Sequence, residues 1–161
     1  MAVTRKKTGP GRLFLIAAIS LSLLPASCGG GSERSGTRAD LTESPRVVSL
    51  SPSTTEIMFD LGLGGTLVGV SRFCQLPEGF GDIEKMGGYL DPNYEKIASL
   101  RPDVVLLLPE QEGVGRYLSR LGLGTLTIDN KKVEDILAGI TKLGEAFGRE
   151  EAADSIIRSI G

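Results

Sequence analysis

Val104-Val105-Leu106-Leu107-Leu108 is an unbroken apolar run, set between Pro102-Asp103 and Pro109. A strand with one wet face alternates polar and apolar residues. A strand apolar at every position is covered on both faces, as in a parallel sheet with helices on each side. The surrounding sequence from Pro45 onward fits that frame. Arg46 to Ser51, Leu67 to Ser71 and Thr125 to Asp129 read as further strands. Helical stretches lie between them. Ile57, Met58 and Leu61 share one side, after a capping box at Ser53-x-x-Glu56 and before a stop at Gly62. Asp91-Pro92 reads as N-cap and first residue of a helix that reaches about Leu100 and is ended by Pro102. Val114, Tyr117, Leu118 and Leu121 are in phase from Gly113 to Leu121. Val133, Ile136, Leu137, Ile140, Leu143 and Phe147 mark a long amphipathic helix. Phe73 to Gly88 reads as a loop. The joint Leu61-Gly62-Leu63-Gly64 recurs as Leu121-Gly122-Leu123-Gly124, each time between a helix and a strand.

This alternation predicts an α/β fold: a doubly wound, mainly parallel, Rossmann-like sheet. Ligands on such sheets bind beyond the carboxyl ends of the strands. Here those ends are Ser51-Pro52-Ser53-Thr54, Ser71-Arg72-Phe73-Cys74, Pro109-Glu110-Gln111 and Asp129-Asn130.

The first 44 residues have a different character. Arg5, Lys6, Lys7 and Arg12 precede an apolar run from Leu13 to Leu24, and small residues follow. That order is a secretory signal peptide over residues 1–27, too short to span a bilayer. Leu24-Pro25-Ala26-Ser27-Cys28 resembles the lipobox of bacterial lipoproteins, which implies cleavage before Cys28 and a lipid on its thiol. Residues 28–44 then form a tether rich in Gly, Ser, Thr and charge. The expected location is outside the cytoplasm, lipid-anchored at the outer face of the cytoplasmic membrane or periplasmic.

Composition excludes several chemistries. The sequence holds no histidine, so no Ser-His-Asp triad and no His-based zinc site can be built. With Cys28 lipidated, Cys74 is left without a disulfide partner. Residues 1–27 contain four of the eighteen basic residues and none of the twenty acidic ones, which leaves the mature chain at a net charge of −6. Nucleic acid, which needs a basic surface, is not an expected partner. No Gly-x-Gly-x-x-Gly follows the first strand, so a dinucleotide enzyme is not indicated.

Five segments in one order add a family likeness: Arg46-Val-Val-Ser-Leu-Ser-Pro-Ser-Thr-Thr-Glu56, Leu67-Val-Gly-Val-Ser71, Gly87-Gly88-Tyr89, Asn93-Tyr-Glu95-Lys-Ile97 and Leu100-Arg-Pro-Asp-Val-Val105. They resemble the amino-terminal lobe of substrate-binding proteins of ABC importers for cobalamin, ferric siderophores and haem. That family has two α/β lobes joined by a rigid helix, with ligand in the cleft between. The resemblance implies a lobe over residues 45–148 and the start of the connecting helix over 149–161, with the second lobe absent. Such a chain would be a truncated product, a fragment or half of a split receptor. The implied partners are an importer permease and a small chelate or corrinoid ligand; the alternative is a lone lobe acting as a protein-interaction module or a non-functional truncated receptor.

The resemblance also implies residue roles. Glu95 matches the acid that docks on the permease; by its position it would equally favour the helix dipole. Phe73 and Tyr89 match the aromatics that wall the ligand. Arg72 either faces an anionic ligand or is solvated. Cys74 is either a soft metal ligand or a free, partly buried thiol. Ser53, Thr54, Glu110 and Gln111 lie on the same rim. No resident metal or cofactor is implied. Without a neighbour, Ile156, Ile157 and Ile160 would form an exposed apolar stripe.

Overall fold

The structure is a computed structural model that describes residues 44–160. The expected signal peptide, Cys28 and nearly all of the expected tether lie outside the described residues. Five strands, β1 (Val47–Ser49), β2 (Leu67–Val70), β3 (Glu84–Lys85), β4 (Val104–Leu107) and β5 (Thr125–Thr127), form one sheet in the order β3-β2-β1-β4-β5. Every pairing is parallel. The α/β, doubly wound arrangement read from the sequence is the one observed.

Successive residues of β4 point to opposite faces, and both faces are covered. Val104 and Leu106 join Val47, Leu67 and Val70 in one apolar layer. Helices α1 (Pro52–Asp60), α4 (Val133–Phe147) and α5 (Glu150–Ile160) close it through Met58, Ile140, Leu143 and Ala153. Val105 and Leu107 join Val48 and Leu50 in a second layer. Helices α2 (Tyr94–Ser99) and α3 (Glu112–Arg120) close that one through Ile97, Val114 and Leu118. Burying each such side chain is worth about 1.5–3 kcal/mol.

Both outer strands are short, and each is guarded by a lysine. Lys142 Nζ donates to the Thr127 carbonyl on β5 at 2.8 Å, and Lys96 Nζ donates to the Lys85 carbonyl on β3 at 3.2 Å. Charged groups on edge strands discourage pairing with a second chain.

Three local readings need correction. The N-cap of α1 is Ser51, not Ser53: Ser51 Oγ accepts the Thr54 N–H at 3.3 Å and Pro52 opens the helix. Proline has no N–H to satisfy, so the cap falls just before it, and Glu56 is left exposed. Helix α2 is capped by Asn93, whose Oδ1 accepts the Lys96 N–H at 2.9 Å, while Asp91-Pro92 belongs to the preceding turn. The stretch read as a loop from Phe73 to Gly88 contains β3.

Helix α5 is not an unpartnered stripe. It folds back on α4, with Ala153 buried and Ile156 and Ile157 partly covered; Ile160 stays exposed. Gly144 permits the approach: a Cβ there would stand 2.7 Å from the Ala153 Cβ. Gly148, in the left-handed conformation at φ 66°, ends α4 and turns the chain into α5.

Candidate functional site

The carboxyl ends of all five strands converge on one rim. Beneath it lies a buried polar layer. Thr55 Oγ1 stands 2.8 Å from the Ser51 carbonyl, 2.9 Å from Ser49 Oγ and 3.3 Å from Cys74 Sγ. Thr54 is buried as well, with its hydroxyl 3.2 Å from Ser51 Oγ. No buried side-chain nitrogen or oxygen among the described residues lacks a partner. Burial pushes the Cys74 thiol up from its ordinary range, only partly offset by the bond with Thr55. Metal coordination needs a thiolate, so a neutral buried thiol fits the packing role. Among the described residues, no group of three or more Cys, Asp or Glu side chains is placed to hold a metal ion.

Gln111 is the pin of the rim. It is buried, and its Oε1 accepts the Leu108 N–H at 2.9 Å. Its Nε2 donates to the Tyr89 carbonyl at 2.7 Å and to the Leu50 carbonyl at 3.5 Å. Both amide hydrogens are thus spent on backbone, and three loops are joined. Ser53 and Asn130 join two more segments, with Asn130 Nδ2 donating to Ser53 Oγ at 2.8 Å.

The upper surface carries apolar groups and charges. Phe73 is 57% exposed, with the Arg72 guanidinium 5.1 Å from its ring centre. Arg72 also pairs with Asp91 at 3.3 Å. Tyr89 is partly covered, and its hydroxyl donates to Glu110 Oε2 at 3.2 Å. Lys131 reaches the other oxygen of Glu110 at 2.9 Å. The Lys131 ammonium, first among the causes, holds the Glu110 carboxyl below the usual range, and the Glu110 carboxylate raises Lys131 in turn. Burial, and next the Glu110 charge, raise the Tyr89 phenol. Leu90, exposed on the adjoining loop, was missed by the sequence reading, while Val133, read there in the apolar phase of α4, is exposed at the helix start.

Glu95 stands apart from this rim chemistry, exposed in the first turn of α2. Tyr94 beside it packs on Tyr117 of α3, with ring centres 4.3 Å apart.

A five-stranded parallel sheet with this order and rim can serve many chemistries, so sequence comparison decides the family. A profile described as periplasmic binding protein matches residues 47–160. The chain belongs to the periplasmic binding protein family. An uncharacterized ABC transporter substrate-binding lipoprotein of Bacillus subtilis (strain 168), YvrC, is 30% identical over 97% of this chain and 56% of its own length. A vitamin B12-binding protein of Vibrio vulnificus (strain YJ016) is 34% identical over 62% of this chain and 37% of its own. Among solved structures, an ABC transporter substrate-binding protein from Listeria monocytogenes EGD-e superposes with a TM-score of 0.68 at 28% identity, over 73% of this chain and 46% of that one. The chain thus spans about half the length, or less, of the relatives it matches.

In this periplasmic binding protein, Phe73, Tyr89 and Leu90 offer apolar area, and Ser53 and Asn130 offer neutral hydrogen-bonding groups. Such a surface can bind a broad molecule by its face. No helix among the described residues is long and apolar enough to cross a membrane.

Proposed function

We propose that this chain is the amino-terminal ligand-capturing lobe of an extracytoplasmic substrate-binding lipoprotein of an ABC importer, taking a corrinoid or a ferric siderophore-type or haem chelate. It binds and does not catalyse. The observation that carries the ligand side is the exposed Phe73 ring on the loop after β2, with the partly covered Tyr89 and the exposed Leu90 on the loop after β3, at the carboxyl ends of the strands of a family lobe. Aromatic walls cover a flat chelate with little loss of side-chain entropy. Relatives named as vitamin B12-binding proteins support that ligand class. In this reading Glu95 docks on a basic pocket of the permease, Cys28 carries the lipid, and residues 28–44 are the spacer. Residues 45–148 form the lobe, and residues 149–161 begin the link to a second one. Ser53 touches ligand, while Thr54 and Gln111 hold the rim from below.

Calorimetric titration of the chain with cyanocobalamin tests the proposal. Changing Phe73 and Tyr89 together to Ala is expected to weaken binding about tenfold or more. Binding that ignores the double change removes the aromatic assignment. No heat from any corrin, haem or ferric siderophore removes the capture reading.

A further inference from the structure

The rim presents two ion pairs, Arg72 with Asp91 and Lys131 with Glu110. The segments 71–74, 86–93, 108–111 and 128–132 carry Arg72, Lys131 and Lys132 against Asp91, Glu110 and Asp129. Arg72 is held by Asp91 at 3.3 Å and Lys131 by Glu110 at 2.9 Å. Asp129 accepts the backbone N–H groups of Asn130 and Lys131 at 2.8 and 3.2 Å. The Lys132 N–H bonds to the Asp135 carboxylate at 3.1 Å, which adds a further acid next to the rim.

We infer that Asp91 and Glu110 set ligand specificity, neutralising Arg72 and Lys131 so that the rim favours an uncharged chelate over one bearing carboxylates. This rests on the capture reading above and narrows it. An anionic ligand gains from a free guanidinium or ammonium. Here it must first displace a carboxylate that stays nearby and repels it. Repulsion between like charges sharpens as ligand excludes water, because the local dielectric falls. A neutral ligand with an apolar face and amide arms meets no such barrier. It can lie on Phe73 and Leu90 and exchange hydrogen bonds with Ser53, Asn130 and the Tyr89 hydroxyl. Specificity then comes from what is disfavoured as much as from what is gained.

A matched ligand pair isolates the effect. Dicyanocobinamide is an uncharged corrin with amide arms; dicyanocobyrinic acid keeps the ring and carries carboxylates instead. Both are titrated into the full chain and into an Asp91→Asn/Glu110→Gln variant, whose fold circular dichroism checks. The native chain is expected to bind the amide form at least about tenfold tighter, and the variant to narrow that ratio by about tenfold, the worth of one charge-assisted contact. A native preference for the carboxylate form, or a ratio that the variant leaves unchanged, overturns the inference while the capture reading stands. If neither corrin binds, the inference falls, and the capture reading falls with it only when haem and ferric siderophores also give no heat.

Discussion

The Gln111 side chain donates to the Tyr89 carbonyl at 2.7 Å, so a buried amide on the fourth strand's loop fixes the height of an aromatic on the third's. The same group holds the Leu108 N–H and the Leu50 carbonyl. Removing it leaves those backbone groups buried without a partner. Gln111→Ala is expected to cost about 1–3 kcal/mol of stability, the penalty for unsatisfied buried groups. Urea unfolding measures it. A change below about 0.5 kcal/mol would mean that water replaces the amide and that the pin is dispensable.

Helices α4 and α5 meet at Gly144, where an added Cβ would stand 2.7 Å from Ala153 Cβ and 3.2 Å from the Arg149 carbonyl. Gly144→Val is expected to destabilise by about 1–3 kcal/mol through overpacking. Ala153→Gly in the same chain should recover part of that loss. Hydrogen exchange along α5 reports whether the helix has lifted. Unchanged protection in Gly144→Val would show that the contact does not hold α5 in place.

Cys74 gives a dependence on alkaline pH. Its folded pKa is raised above the ordinary thiol value, chiefly by burial. The folded state therefore binds this proton more tightly than the unfolded state does. The associated stability is fully present below the unfolded pKa and is lost as pH rises above about 9 toward the folded value. Tyr89, raised above 10.0 by burial and by Glu110, adds loss of the same sign at higher pH. In a Cys28→Ser background, Cys74→Ala is expected to flatten the fall in unfolding free energy between about pH 8 and 10. Identical slopes with and without the thiol would refute this.

The anchor is tested by fractionation. Cys28→Ala is expected to move the protein from the membrane to the soluble or secreted fraction, since buried acyl chains contribute about 0.8 kcal/mol per CH₂. Unchanged fractionation, with no lipid on the mature terminus by mass spectrometry, would sink the lipoprotein assignment.

Much of the fold is legible because burial imposes a period. Val104 to Leu107 is covered on both faces and reads as such, and α4 shows its apolar side plainly. Strand β3 escapes because Glu84 and Lys85 are exposed and form an edge, where nothing selects apolar residues. The caps of α1 and α2 each shift by two residues, since several Ser, Asp and Asn candidates stand close together and only backbone geometry chooses. The site is less legible than the fold. Phe73 stands on the rim where its place after a strand end put it. Gln111 lies in a polar Pro-Glu-Gln-Glu stretch that looks solvated, yet it is buried because three loops need its amide. Leu90 carries no pattern, and Val133 reads as part of the apolar phase of α4 yet stands exposed at the helix start.

The first strand in sequence is the middle strand in space. β1 is flanked by β2 and by β4, and Arg46 and Asp103, 57 residues apart, bond to each other at their starts. Until the segment through Leu107 has been synthesised, β1 has an open side and the sheet has no centre. Contacts of such long sequence separation form late and slowly. The ribosome therefore delivers β1 and β2 well before β4 can close the centre of the sheet. On the exported-lipoprotein reading proposed above, a narrow export pore would meet a thread rather than a knot.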